Sequence, residues 1–126
     1  MRILKALVVL TICVFGLSLL ANASHNHNEF GVADHQRITF DNPMRVGDVL
    51  LPSGDYRVTH TMEGNDHVMV FRQLNTKKPA EAKVKCHLVP LKEKAERTRK
   101  IFEYNAAKEE VLRTLVFQGD MAQHEF

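Results

Sequence analysis

The sequence predicts an all-β protein: a small β-sandwich or barrel of six to seven mostly antiparallel strands, placed after an N-terminal signal helix. Three observations carry that expectation. Apolar and polar residues alternate with period two through most of the chain after residue 34. Clusters of Gly, Pro, Asn and Asp punctuate these runs at short intervals. The length of 126 residues suits one domain, and no internal repeat or linker divides it.

The elements follow in order. His35–Phe40 places Ile38 and Phe40 on one face and Arg37 and Thr39 on the other, and Asn42-Pro43 breaks the run. Met44–Val46 and Val49–Leu51 form a hairpin around Gly47-Asp48, a pair suited to a tight turn. Pro52-Ser53-Gly54 supplies a second turn. Asp55–Met62 alternates again, with Tyr56, Val58 and Met62 against Arg57, Thr59 and Thr61. After Glu63-Gly64-Asn65-Asp66, His67–Leu74 is apolar on both faces and reads as a central strand. Ala80, Ala82, Val84, Cys86 and Leu88 then alternate strictly with Glu81, Lys83, Lys85 and His87, up to Pro90. Val111–Gln118 is a further strand, closed by Gly119-Asp120.

Residues 91–110 admit two readings. Leu91, Ala95, Thr98, Phe102 and Ala106 recur at helical spacing, which gives an α+β alternative with a helix near 92–108. Thr98, Lys100, Phe102 and Tyr104 also alternate, so that Thr98–Tyr104 pairs with Val111–Gln118 across a turn at 105–110. The hairpin is the preferred reading.

Residues 1–23 have the three parts of a secretory signal peptide: basic Arg2 and Lys5, the apolar run Ala6–Leu20, and Ala21-Asn22-Ala23 for cleavage. The apolar run is too short to span a bilayer, so no membrane span is expected after cleavage. Residues 24–34 read as a flexible polar leader and residues 35–126 as the folded domain, periplasmic or extracellular. Cys13 leaves with the signal, so Cys86 is the one cysteine remaining and no internal disulfide can form. The 17 basic and 15 acidic residues fall to equal numbers once Arg2 and Lys5 are gone. A neutral body argues against both a strongly basic nucleic-acid binder and an acidic disordered tail.

The stretch Val46-Gly47-Asp48-Val49-Leu50-Leu51-Pro52-Ser53-Gly54-Asp55-Tyr56-Arg57-Val58 resembles a V-G-x-x-x-L-P-x-G-x-Y-x-V signature of short exported acidobacterial proteins. Lys85-Cys86-His87-Leu88-Val89-Pro90-Leu91, Phe117-Gln118-Gly119-Asp120 and His124-Glu125-Phe126 extend the resemblance. It implies a small all-β exported domain and carries no activity or functional residues with it.

Seven histidines are many for this length, and imidazole is a common transition-metal ligand. His25-x-His27 lies in the leader, where two ligands on a flexible chain bind weakly. His60 and His67 flank one turn, so a hairpin sets them near each other; Cys86, Met62 or Met69 are the conceivable additions. Cys86 and His87 point to opposite faces and cannot share an ion without a bulge. On this pattern Cys86 is a small buried hydrophobe.

No serine sits in a nucleophile elbow, no acid pair stands out and no glycine-rich phosphate loop exists, so neither an enzyme nor a cofactor is expected. A small hydrolase remains the third reading; a pocket of converging acids and a histidine would support it. Charge is the remaining lead. Residues 77–100 carry nine basic and three acidic groups, a local excess of six, between two acidic segments. Lys83, Lys85, His87, Arg97 and Arg99 are the candidates for gripping an anionic polysaccharide, a lipid headgroup or an acidic protein. Lysines on a strand also discourage edge pairing. No aromatic series interleaves them, so nucleic acid is not an expected partner. The leading expectation is an exported, non-enzymatic binding protein, with a histidine metal site as the alternative.

Overall fold

The computed structural model describes residues 30–126, all β with no helix. The expected signal helix and most of the leader lie outside the described residues. Nine strands follow in order: β1 (His35–Phe40), β2 (Met44–Val46), β3 (Val49–Leu51), β4 (Gly54–Glu63), β5 (Asp66–Gln73), β6 (Glu81–Pro90), β7 (Arg99–Tyr104), β8 (Glu110–Val116) and β9 (Ala122–Glu125). The hydrogen-bonded order is β1-β4-β5-β6-β9-β8-β2-β3, with β7 on the other side of β8. Nine strands exceed the six to seven expected, because the short hairpin strands and β9 all pair.

Strand β6 is the corner of the architecture. Its first half pairs with β5 and its last residues, His87 to Pro90, pair with β9. It therefore passes from one sheet, β1-β4-β5, to the other, β9-β8-β2-β3. All pairs are antiparallel except β2 with β8. Between the layers lie Phe40, Tyr56, Phe71, Leu51, Leu112, Leu115 and Phe117, all buried. Tyr56 keeps its hydroxyl satisfied inside by donating to the Pro52 carbonyl at 2.5 Å, as a buried phenol requires.

Local chemistry fixes the turns. Gly47 sits at φ 58° between β2 and β3, a left-handed conformation that costs glycine least. A Cβ there would also press on Val84 at 3.3 Å. The second reading of residues 92–108 as a helix does not hold. Asn105 accepts hydrogen bonds on its side-chain oxygen from the Ala107 and Glu109 amides, and Lys108 turns at φ 62°. These contacts close a β7–β8 hairpin in place of a helical turn. Arg45 clamps that hairpin to β2 through a two-point contact with Glu109, both bonds at 2.9 Å. The guanidinium holds the Glu109 carboxyl below its ordinary range.

Residues 30–34, placed by their sequence at the end of the leader, are packed on the body. Val32 and Ala33 are buried. The Gly31 carbonyl accepts from the Met121 amide at 2.7 Å, and the Asp34 carbonyl accepts from the His60 amide at 2.8 Å. This short strap thereby ties the segment before β9 to β4, beyond the end of β1.

Candidate metal centre

Cross-strand register decides which side chains meet at this end of the core. On β4, Tyr56, Val58 and His60 point inward. Their neighbours on β5 follow from the pairs Val58↔Phe71, His60↔Met69 and Met62↔His67. On β6 the same face continues through His67↔Cys86 and Met69↔Val84. Strand β9 adds His124, opposite Leu88 on β6 and Leu115 on β8. One histidine from β4, one from β5, one from β9 and the cysteine of β6 thus converge at one end of the interior.

The geometry is compact. One ligand atom each of His60, Cys86 and His124 can be chosen so that all lie within 4.8 Å of one another, and all three residues are buried. Cys86 Sγ is 3.7 Å from His124 Nδ1. With a metal–sulfur bond of about 2.3 Å and a metal–nitrogen bond of about 2.0 Å, that edge is about 3.5 Å in a tetrahedron and about 3.7 Å in a trigonal plane. The Cys86–His124 edge already has the length an ion would impose. His60 completes the group within the 4.8 Å limit, wider than the about 3.5 Å a bound ion would set between ligand atoms. His67 stacks on His60 with ring centres 5.4 Å apart. Its Nδ1 is buried and has no hydrogen-bond partner among the described residues.

Burial favours the neutral forms of His60 and Cys86. Burial, and then the nearby His124 and His67, push His60 down to about 4, so its ring is neutral at ordinary pH. Burial pushes the Cys86 thiol up to about 11. Without an ion the thiol stays protonated; an ion binding there would have to displace that proton. Behind His124, its Nε2 faces Asp120 Oδ2 at 3.9 Å, and Asp120 Oδ1 accepts from the Ala33 amide at 3.3 Å. Asp120 thus lies behind His124, on the side of the ring away from Cys86.

Cys86, His124 and Asp120 also stand in the serial order of a thiol nucleophile, a base and an orienting acid. Two facts oppose that use. A reactive thiol needs a lowered pKa and access to substrate, whereas this one is raised and 4% exposed. The depression beside the cluster is lined by His60 and Met62 and by none of the three.

Of the residues singled out from sequence, His60 and His67 are brought together, diagonally across the β4–β5 ladder. Cys86 faces inward and His87 is exposed, in keeping with their alternation. Sequence reasoning counted His124 without placing it in a site, because β9 was not recognised as a strand. The signal available was the spacing of Ala122, His124 and Phe126 after the Gly119-Asp120 turn.

The basic candidates divide into two groups. Lys83 is paired with Glu63, and Lys85 with Asp66 at 3.1 Å. Arg97 and Arg99 line a depression with Lys92, Lys94, Glu93 and Glu96. No helix among the described residues is long and apolar enough to cross a membrane. Comparison with protein-family models, curated proteins and solved structures finds no match to this chain.

Proposed function

We propose that this is an exported, non-enzymatic protein that binds one transition-metal ion through His60, Cys86 and His124, with His67 stacked on His60 beside them. The observation that carries this reading is the convergence of the three ligand atoms within 4.8 Å in a buried position. A thiolate with neutral imidazoles selects borderline and soft ions such as zinc and copper over magnesium or calcium. Asp120, oriented by the strap at residues 30–34, supports the ligand His124 from behind. Export agrees with the signal-like residues 1–23 and with the resemblance noted above.

Cobalt(II) titration tests the reading. The expected result is one ion per chain, with a thiolate-to-cobalt charge-transfer band that is lost in Cys86→Ser and weakened in His124→Ala. Saturating zinc should stabilise the protein by about 4 kcal/mol at a thousandfold excess over Kd. A spectrum identical in wild type and Cys86→Ser would overturn it.

A second reading keeps the basic region as a docking site for an anionic envelope component. The depression formed by Lys92, Lys94, Arg97 and Arg99 favours it, with the binding centre there and away from the ion-paired Lys83 and Lys85. Arg97→Glu with Arg99→Glu should abolish retention on an anionic polysaccharide resin at low salt, and unchanged retention would refute it.

A further inference from the structure

The cluster does not end at its three buried ligands. Met62, His67 and Cys86 lie in a single row across β4, β5 and β6, since Met62 pairs with His67 and His67 pairs with Cys86. Side chains in such a row share one face of the sheet and stand as direct neighbours. Their exposure falls along it: Met62 is 41% exposed, His67 is half-buried and Cys86 is 4% exposed. Met62 and His60 also line a depression at the sheet edge beyond the end of β1, together with Phe30 and Asp34. A second thioether, Met69, is buried on the same face opposite His60.

A thioether at the surface, an imidazole below it and a thiol beneath that form a graded series of soft donors leading inward. Zinc takes thiolate, imidazole and carboxylate and makes no use of thioether, whereas copper(I) takes all three soft donors present here. We propose that the ion is copper(I), captured at Met62 and His67 and passed along this row to Cys86, His124 and His60. His67 then has two successive roles, as the capture ligand with Met62 and as the fourth neighbour of the loaded site. Its buried Nδ1 has no hydrogen-bond partner among the described residues, so in the tautomer protonated at Nε2 it offers the lone pair such a relay needs. No electron transfer is involved, because copper is both received and held in the monovalent state; as the copper–sulfur bond forms, the Cys86 S–H bond breaks and its proton is released to solvent.

This inference rests on the metal reading of the same cluster, and the experiment separates the two. Full-length processed protein and its Met62→Leu variant would be mixed anaerobically with the copper(I)–bicinchoninate complex, and in parallel with zinc(II) held by a chromophoric chelator. Leucine preserves the bulk of an exposed side chain and removes only the sulfur. The expected result is one copper(I) per chain, bound far more tightly than zinc. Met62→Leu should slow copper withdrawal about tenfold and leave zinc affinity and Tm unchanged. Zinc bound as tightly as copper(I), or an uptake rate unchanged in Met62→Leu, would overturn the copper inference while the metal reading stands. Failure of the protein to take either ion would overturn both.

Discussion

His60 shows how position governs the chemistry of a single side chain here. It is 5% exposed, and its proton affinity is reduced by burial and by two other imidazoles, more than Asp34 and Asp120 restore. A histidine whose pKa is about 4 in the folded chain and about 6.5 in the unfolded chain favours folding in its neutral form. Its contribution is complete above about pH 6.5. It declines as the pH falls through that value, where the unfolded chain binds the proton first, and is exhausted near pH 4. Metal-free protein should thus lose on the order of 3 kcal/mol between pH 7 and pH 4 on account of this residue. Urea denaturation of wild type and His60→Leu across that range measures the difference. An equal slope in the two proteins would contradict the assignment. Cys86 is the companion case. Alternation made its inward direction legible, but a pattern of facing cannot reveal that a histidine 38 positions later approaches its sulfur.

At the level of elements, the strap at residues 30–34 and strand β9 together complete the site. Gly31 adopts φ 72°, and a Cβ there would fall 2.6 Å from the Cβ of Met121, so Gly31→Ala meets both backbone strain and a collision. We expect it to cost about 1–3 kcal/mol and lower Tm by several degrees. Gly64→Ala, at φ 60° with nothing within 4 Å, is the control and should cost about 1 kcal/mol. Equal melting temperatures for the two variants would show that the strap adds nothing to stability. These same elements were the least legible. Strands β1 to β6 and β8 could be read from alternation and turn residues, β7 only against a helical alternative, and the β4–β5 hairpin that joins His60 to His67 was evident from its turn. Strand β9 has four residues, and its inward positions are Ala122 and His124, too few and too weakly apolar for periodicity to register. Val32 and Ala33 were hidden by polar neighbours. Their burial depends on partners at Asp120 and Met121 nearly ninety positions away.

Over the whole molecule, a basic centre and its acidic flanks fold so that opposite charges meet. Glu63 and Asp66, from one acidic segment, neutralise Lys83 and Lys85, and Arg45 is held by Glu109 from the other. The concentration of charge visible in the sequence is thus in part neutralised at exposed positions by the Lys83–Glu63 and Lys85–Asp66 pairs, each worth little, whereas the two-point Arg45–Glu109 contact is part-buried. The proposed metal site lies instead in the interior, where β6 turns from one sheet into the other and carries Cys86 towards the histidines of β4, β5 and β9. X-ray absorption at the metal edge of the loaded protein tests that claim most directly. The account predicts one sulfur at about 2.3 Å together with two or three imidazole nitrogens at about 2.0 Å. A shell of nitrogen and oxygen with no sulfur would contradict it.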